Sequence, residues 1–430
     1  MTVERTPYPR HQAATGQRPD RRLTRRALLG GGLGLGALGA LSACTESGAG
    51  LGLGAGTLKI QAGDDEIPGL RRIAEGFTQQ TGVNVEYIQR EINADSISDF
   101  IAQSPMGQAP DIIISPHDNL GQLATNGVVA SVELGDRAQD FTDNALTAVV
   151  FDGVSYGVPY AVECVALIRN DQITDAQPES FDELRRIGRR LMQEQGLSYP
   201  LAVSQSPTSG DPYHLYPLQT SFGAEVFHRT EDGEYLPELT MGGSEGEAFA
   251  DYLAELGEAG DVQTSMTPDI ASEAFLNGES PFLIGGPWEL AAIEAAGMRC
   301  TVLPVPPAGD QPARPFAGVQ ALFVNAHAAN PVAAHDFVTN WLPTTEAQTA
   351  LYESTGRPPA SVSAVEAMDG DPLRAEYARI ADELALPMPS IPAMGAVWSF
   401  WGTTENAILD GRAEPGPQWQ SMIESIEGQI

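Results

Sequence analysis

The amino-acid sequence predicts an α/β protein with two lobes, and two observations carry that prediction. Strand-like and helical segments alternate where the folded part begins, with strands at 58–62, 83–87 and 111–114 and helices at 67–81 and 96–103. Such alternation is typical of right-handed βαβ units and a largely parallel sheet. Beyond an N-terminal export signal, roughly 385 residues remain, which is enough for two lobes with separate cores.

The later elements follow the same local signals. Segment 154–160 is extended and leads into an apolar strand at 162–168, and Ser180 with Glu183 forms a capping box that begins a helix through 195. Further strands are predicted at 282–284 and 300–304, and further helices at 246–256, 272–277, 289–296, 331–344, 347–354, 372–384, 407–409 and 419–426. Breaks rich in Pro and Gly at 306–316 and 387–395 are candidate crossings between the lobes.

The first 44 residues have the organisation of an export signal. Four arginines at 21, 22, 25 and 26 precede an apolar run at 27–41 that is too short to span a bilayer. The arginine pair resembles a twin-arginine signal, and the segment Leu41–Cys44 resembles a bacterial lipobox. We therefore expect a signal peptide at 1–43, lipid attachment at Cys44 and a flexible tether at 44–56, which would hold the protein at the extracytoplasmic face of the membrane. A weak membrane anchor with an incidental cysteine is the alternative.

The charge of the chain excludes some partners. The formal net charge is −33, and removal of residues 1–43, which carry more arginines than carboxylates, makes the mature chain more acidic still. Such a surface repels nucleic acid and anionic lipid, so we expect neither as a partner. An arginine-preferring genome and adaptation to high salt both remain open as the origin of this acidity.

The remaining cysteines and the histidines give no sign of a metal or cofactor. Cys164 and Cys300 lack any local spacing signature, and they are predicted either as one disulfide or as two free, buried thiols. The sequence contains no CxxC, no HExxH and no clustered His/Cys set. We therefore expect neither a metal site nor a cofactor.

An ordered series of motifs resembles the maltose/maltodextrin-binding proteins. The match runs from about residue 58 to residue 426, and its motifs lie at 109–113, 117–121, 160–163, 211–213, 274–279, 285–288, 304–318 and 389–398. Single pieces such as Pro110-Asp111-Ile112-Ile113 are weak signals, but the ordered set is specific. The resemblance implies a periplasmic-binding-protein fold whose two α/β lobes are joined by a multi-segment hinge.

The resemblance also implies where the chain crosses between lobes. The three crossings would fall near 161–165, 316–320 and 367–373. Lobe one would then comprise 57–161 and 320–367, and lobe two would comprise 165–315 and 374–430. The ligand would lie in the cleft between them.

Five carboxylates are candidate ligand-binding residues. Charged side chains hold sugar hydroxyls through strong hydrogen bonds, and the resemblance assigns that role to Asp64, Asp118, Glu163 and Asp211. Asp65 is a fifth candidate, although the family often has a basic residue there. The alternatives are structural: an N-cap for Asp64, a turn for Asp118 and a partner within the core for Glu163.

Three aromatic residues are candidates for stacking on sugar rings, whose C–H faces pack against flat aromatic faces. The resemblance implies this role for Tyr213, Trp288 and Trp398, with simple core packing as the alternative for the tryptophans. Trp401 is predicted either to widen the platform of Trp398 or to lie in the core. His117 is expected to be structural.

Besides Asp65, four further positions depart from the maltose pattern. Ser115 replaces an aromatic residue, Asn119 replaces an arginine that is frequent in the family, and Ser399 and Gly402 replace a tyrosine and an arginine. These changes bear on the detailed sugar subsite.

The function that the sequence predicts is that of a non-catalytic receptor. We expect the substrate-binding lipoprotein of an ABC importer, a monomer that binds an oligosaccharide and delivers it to the permease subunits. The favoured ligand is an α-glucoside such as maltose, maltodextrin or trehalose. The alternatives are a binding protein for a different sugar or polyol and, less favoured, a secreted glycosidase that uses Glu163 and Asp211.

Overall fold

Two β-sheets flanked by helices organise the chain in the computed structural model. The structure describes residues 56–90, 93–230, 235–368 and 370–430. The predicted signal peptide, Cys44 and all of the tether except Gly56 lie outside the described residues. None of the helices in the described ranges combines the length and the hydropathy that a bilayer span requires.

The strands of the described ranges are β1 Thr57–Ala62, β2 Asn84–Gln89, β3 Ile112–Pro116, β4 Val150–Phe151, β5 Val154–Ser155, β6 Gly157–Glu163, β7 Ala166–Asn170, β8 Ala202–Val203, β9 Phe227–Arg229, β10 Tyr235–Leu239, β11 Phe282–Gly285, β12 Cys300–Leu303, β13 Phe316–Val324 and β14 Leu386–Pro387. The helices there are α1 Glu66–Thr81, α2 Ala94–Gln103, α3 Leu120–Thr125, α4 Asp143–Ala148, α5 Phe181–Gln195, α6 Pro212–Ser221, α7 Gly243–Glu258, α8 Pro268–Leu276, α9 Leu290–Ala295, α10 Pro331–Asp336, α11 Thr345–Thr355, α12 Val362–Ala367, α13 Pro372–Glu383, α14 Met394–Leu409 and α15 Pro415–Glu427.

The first sheet has six strands in the order β14–β13–β3–β1–β2, with β6 also paired to β13. Strands β2, β1 and β3 run parallel, as the alternating pattern predicts, whereas β13 is antiparallel to both β3 and β6. Successive side chains of β3 point to opposite faces. Ile112 and Ile114 therefore enter one core cluster, while Ile113 enters a second cluster with Phe323.

The second sheet has the order β12–β7–β11–β8. Strand β7 is antiparallel to both of its neighbours, and β11 is parallel to β8. A further core cluster packs on this sheet and includes Phe282 and Ile284 of β11 with Trp401 and Trp419 of the C-terminal helices. The two sheets with their helices form two α/β lobes, which is the predicted fold class.

The chain passes from the first sheet to the second between β6 and β7. The prediction of one strand at 162–168 is wrong, because Cys164 and Val165 lie between strands that belong to different sheets. The apolar run is continuous in sequence because both strands are fully buried. Pattern alone therefore could not locate the break.

Several other element predictions need correction. The predicted helix at 331–344 is α10 followed by a π-helical segment at Phe337–Trp341. Sequence reasoning missed the nine-residue strand β13. It also assigned only 407–409 of α14 to helix. By contrast, α1 ends as predicted at Gly82, whose φ of 76° suits a left-handed C-cap.

The two remaining cysteines are free thiols in the structure. Cys164 is buried, with its Sγ 3.8 Å from the carbonyl oxygen of Tyr377, while Cys300 is half-buried. The structure thus corresponds to the prediction of two free, buried thiols, except that Cys300 is not fully buried.

Gly402 provides a test of how α14 packs on the loop before α6, because this helix lies directly on that loop. A Cβ added at Gly402 would overlap the carbonyl oxygen of Ser209 and come within 3.1 Å of the Cα of Gly210. We expect Gly402→Ala to lower the free energy of unfolding by about 1–3 kcal/mol, because backbone cannot yield cheaply. The measurement is chemical unfolding.

Gly395 is the matched control, since it lies in the same helix with nothing within 4 Å of an added Cβ. Gly395→Ala is expected to change the free energy of unfolding by less than about 1 kcal/mol. Equal effects of the two substitutions would contradict this account of the packing.

Candidate functional site

The predicted aspartates follow strands of the first sheet at one edge. Asp64 and Asp65 come directly after β1, and Asp118 lies in the short 3-10 turn after β3. Because β1 and β3 are parallel, their carboxyl ends meet at the same edge. Asp65, not Asp64, occupies the N-cap position of α1, and its side chain makes no capping hydrogen bond. Both aspartates are exposed.

Asp118 lies near a residue of helix α14. Burial raises the pKa of Asp118 to about 6, and the nearby Trp398 side chain has the opposing effect. Trp398 belongs to α14 and packs against the core cluster of the second sheet. This proximity brings together two of the predicted site residues from distant parts of the chain.

The predicted aromatic residues form one connected group. The ring centroid of Tyr213 is 6.4 Å from that of Trp288 and 6.3 Å from that of Phe316. Phe316 is in turn 6.3 Å from Trp398. Phe316, which sequence reasoning missed, therefore connects Tyr213 with Trp398.

Trp401 lies beneath this group. It stacks on Trp398 with a centroid distance of 5.4 Å and an interplanar angle of 24°. Its side chain is fully buried, and its indole N–H donates to the Oε1 of Gln219 at 3.1 Å. Of the two alternatives for Trp401, the structure corresponds to core packing.

Glu163 is a buried carboxylate at the end of β6. Its Oε2 accepts from the Nε of Arg357 at 2.8 Å, and its Oε1 accepts from the Nε2 of Gln320 at 2.9 Å. The side chain is therefore paired, as a buried charge must be. The hydroxyl of Tyr213 also lies close to Gly318, where an added Cβ would be 3.3 Å from the Cγ of Glu163 and 3.4 Å from that hydroxyl.

Asp211 caps the helix that carries Tyr213. Its carboxylate accepts from the backbone N–H of His214 at 3.4 Å and from the hydroxyl of Ser204 at 3.1 Å. The Nδ1 of His214 lies 2.8 Å from the same carboxylate. Asp211 thus holds the turn that presents Tyr213.

Arg357 and Gln320 are further residues that sequence reasoning missed. Arg357 follows α11, and its Nη1 lies 3.7 Å from carboxylate oxygens of both Asp65 and Glu66. Gln320 lies on β13 opposite Ala161. No local signal marks either residue, because their partners are brought near only by the fold.

The departures from the maltose pattern have local explanations. The side-chain amide of Asn119 donates to the hydroxyl of Ser115 at 3.2 Å, so these two departures are hydrogen-bonded to each other. Gly402 permits the close approach of the 209–210 backbone. The exposed Ser399 donates only to the carbonyl of Gly395, one turn earlier in its own helix.

His117 is structural, as predicted. Its Nδ1 accepts from the backbone N–H of Val319 at 3.0 Å, and its Nε2 lies 2.8 Å from the carbonyl of Met388. Burial lowers its pKa to about 4. In the described part of the chain, no group of three or more His, Cys, Asp or Glu residues is placed to hold a metal ion.

A cavity of about 640 Å³ lies on the opposite face of β6. Its lining includes Val162 and residues from α12 and α13, such as Val365 and Ala378. Val162 and Glu163 are consecutive in a strand, so they point to opposite faces. This mainly apolar cavity is therefore distinct from the polar and aromatic site.

The structure has two α/β lobes, which are joined where paired strands pass between the sheets. It also brings carboxylates and aromatic rings together in one group. These features define a two-lobed binding protein. The pattern of the bacterial extracellular solute-binding protein family matches residues 72–377. The chain belongs to this family, which is one of binding proteins and not of enzymes.

The individual relatives and the solved structure share 24–25% sequence identity with the chain. The chain is 24% identical to the galactooligosaccharide-binding protein of Bacillus subtilis, over 84% of this chain and 86% of that protein. It is 25% identical to a maltooligosaccharide ABC transporter solute-binding lipoprotein of Streptococcus pneumoniae, over 79% and 80%. A cyclo/maltodextrin-binding protein complexed with maltotetraose matches 87% of this chain and 97% of its own, with a TM-score of 0.73 and 24% identity. The predicted fold class is thereby confirmed.

A buried carboxyl group lies behind the aromatic residues. Glu405 of α14 is fully buried, and no basic side chain in the described ranges forms an ion pair with it. Burial and then the charge of Asp211 raise the pKa of Glu405 well above its usual range, against a smaller effect of the Trp401 indole. An unfolded glutamate titrates near 4.3, so the native state loses stability as the pH rises above that value.

Glu405→Gln should therefore stabilise the protein at neutral pH. We expect a gain of about 1 kcal/mol or more in the free energy of unfolding at pH 7.5, because each unit of pKa shift corresponds to about 1.4 kcal/mol. The gain should shrink below about pH 4.3. The exposed Glu247→Gln is the control and should have no effect at either pH; a gain for Glu405→Gln that is independent of pH would contradict the account.

Proposed function

We propose that this protein is the substrate-binding lipoprotein of an ABC importer and that it binds an oligosaccharide, with an α-glucoside such as maltose, maltodextrin or trehalose as the favoured ligand. The family supports a role in binding a solute outside the cytosol. The names of its relatives support a sugar as that solute. The ligand is delivered to the permease subunits of the importer.

One observation carries this proposal: aromatic rings and carboxylates from different parts of the chain converge. The proximity of Trp398 to Asp118 and the packing of Tyr213 with Trp288 put flat apolar faces next to charged acceptors. Pyranose rings need this combination, because their C–H faces are apolar and their edges carry hydroxyls. We assign ligand binding to Asp64, Asp65, Asp118, Glu163, Asp211, Tyr213, Trp288 and Trp398.

The ligand lies between lobe one, at 57–161 and 320–367, and lobe two, at 165–315 and 374–430. The passage of the chain from β6 to β7 at Cys164 and Val165 supports the first crossing. The binding of one ligand by both lobes favours a closed arrangement through hinge motion. The permease recognises that arrangement.

Lipid on Cys44 keeps the protein at the extracytoplasmic face of the membrane. This part of the proposal rests on the arginine-rich head, the short apolar run and the lipobox-like end of residues 21–44. A relative that is named a lipoprotein supports it. The protein acts as a monomer.

A sugar panel tests the proposal. Thermal unfolding is measured with maltose, maltotriose, trehalose and a galactosyl trisaccharide, the last chosen because one relative is named for galactooligosaccharides. We expect the unfolding midpoint to rise with at least one α-glucoside, because ligand that binds only the native state stabilises it. A rise with the galactosyl sugar alone would overturn the α-glucoside assignment.

Trp288→Ala should abolish the rise in the midpoint. A stacked aromatic ring contributes a large share of contact with a pyranose. The ligand-free midpoint is the control, because the half-buried Trp288 side chain should affect ligand binding more than the fold. A full rise in the variant would exclude stacking by this residue.

Affinity should also depend on pH through Asp118. Its pKa of about 6 means that the carboxylate becomes protonated below that pH and then accepts a sugar hydroxyl less well. By calorimetry, we expect the Kd to increase by up to about tenfold per pH unit as the pH falls from 6 to 5. Asp118→Asn should bind more weakly and with a flatter pH profile; a wild-type Kd that is equal at pH 5 and pH 7.5 would refute this role.

A further inference from the structure

Among the described residues, three buried polar atoms around Glu163 have no hydrogen-bond partner. They are the Nη1 of Arg357, the Oε1 of Gln320 and the hydroxyl of Tyr213. They come from three parts of the chain, namely the segment after α11, strand β13 and helix α6. Native proteins leave few such atoms, so each requires an explanation.

The geometry brings these atoms around one carboxylate. Glu163 accepts from the Nε of Arg357 at 2.8 Å and from the Nε2 of Gln320 at 2.9 Å. The Nη1 of Arg357 and the Oε1 of Gln320 have no hydrogen-bond partner in the part of the chain that the structure describes. Gly318 and Gln320 share a face of β13, opposite Glu163 and Ala161 of β6. The absent side chain of Gly318 lets Tyr213 approach the carboxylate.

Together the unpaired atoms provide a donor, an acceptor and a hydroxyl that can act as either. A sugar ring carries several hydroxyls, each able to donate and accept, so one ring can satisfy all three. The guanidinium also has a fixed fork geometry, and Glu163 already orients it through the Nε. The group is therefore preorganised.

We propose that Arg357 and Gln320 are specificity-determining residues that, with Glu163 and Tyr213, bind the hydroxyls of one sugar ring. This inference deepens the proposed function and rests on it. Arg357 donates through its Nη1, and Gln320 accepts through its Oε1.

The charge of this subsite selects a neutral ring. Arg357 is the cation of this subsite, and the carboxylates of Asp65, Glu66 and Glu163 lie within 3.7 Å of it. An added carboxylate or phosphate on the ligand would face a net negative surrounding. The class of ligand is thus a neutral oligosaccharide, not a uronic acid or a sugar phosphate.

The experiment compares Arg357→Gln and Gln320→Leu with wild type by calorimetry. The ligand is whichever trisaccharide, maltotriose or galactosyl, wild type binds more tightly, together with its monodeoxy analogues. We expect the Kd of each variant to increase about 10- to 100-fold, because a buried hydrogen bond to ligand is lost. For each variant, one analogue lacks the hydroxyl that contacts the substituted residue. This analogue should bind wild type and variant with the same Kd. Trigalacturonate should bind wild type at least 100-fold more weakly than the neutral sugar.

Arg72→Gln is the matched control for arginine, since Arg72 forms an exposed ion pair with Glu353 far from Glu163 in sequence. Its Kd should remain within twofold of wild type. Arg357→Gln leaves Glu163 without a cation and can fail to fold, so Gln320→Leu provides the independent test.

The outcomes separate this inference from the proposed function. Unchanged affinity in Gln320→Leu and Arg357→Gln, or an equal loss for every analogue, would overturn the subsite and leave the proposed function intact. Tight binding of trigalacturonate would overturn its neutral class. Absence of binding of any neutral oligosaccharide to wild type would overturn both.

Discussion

Strands β6 and β13 pair antiparallel from Gly157 to Glu163, and both lead from this pairing toward the second sheet. Phe316, at the start of β13, packs with the core of the second sheet, whereas Leu322 and Val324 near its end pack with the first. The ladder of hydrogen bonds therefore fixes the register of the segments that join the lobes. Glu163, Gly318 and the aromatic group all take their positions from that register.

A buried charge at this junction has a cost that stability alone does not justify. Burying an ion pair such as Glu163 with Arg357 often stabilises a fold no more than apolar residues of the same volume would. Tyr160 adds a further polar contact by donating to the carboxylate of Glu66 at 2.9 Å. This cost is consistent with the proposed role of Glu163 and Arg357 in binding the ligand.

The sequence predicted elements whose signals are local. Helix α1 was predictable because its apolar spacing ends at Gly82, and β1 to β3 because their runs are short and bounded. The break at Cys164 was not predictable, since both flanking strands are buried and apolar. Helix α14 was largely missed because a Pro-rich stretch at 387–392 precedes it and Gly395 lies in its first turn. For the site, the resemblance supplied Asp118, Trp288 and Trp398, whereas Arg357 and Gln320 become site neighbours only through contacts between distant segments.

The departures from the maltose pattern are explained by contacts with neighbouring residues. Ser115 and Asn119 bond to each other, and Gly402 is required where two backbones nearly touch. If the protein binds an oligosaccharide as proposed, the carboxylates and aromatic rings match the pattern because sugar hydroxyls and ring faces constrain their chemistry directly. If Arg357 and Gln320 bind sugar hydroxyls, substitutions at these two positions would change which sugar binds, while the aromatic residues that stack on its rings remain the same.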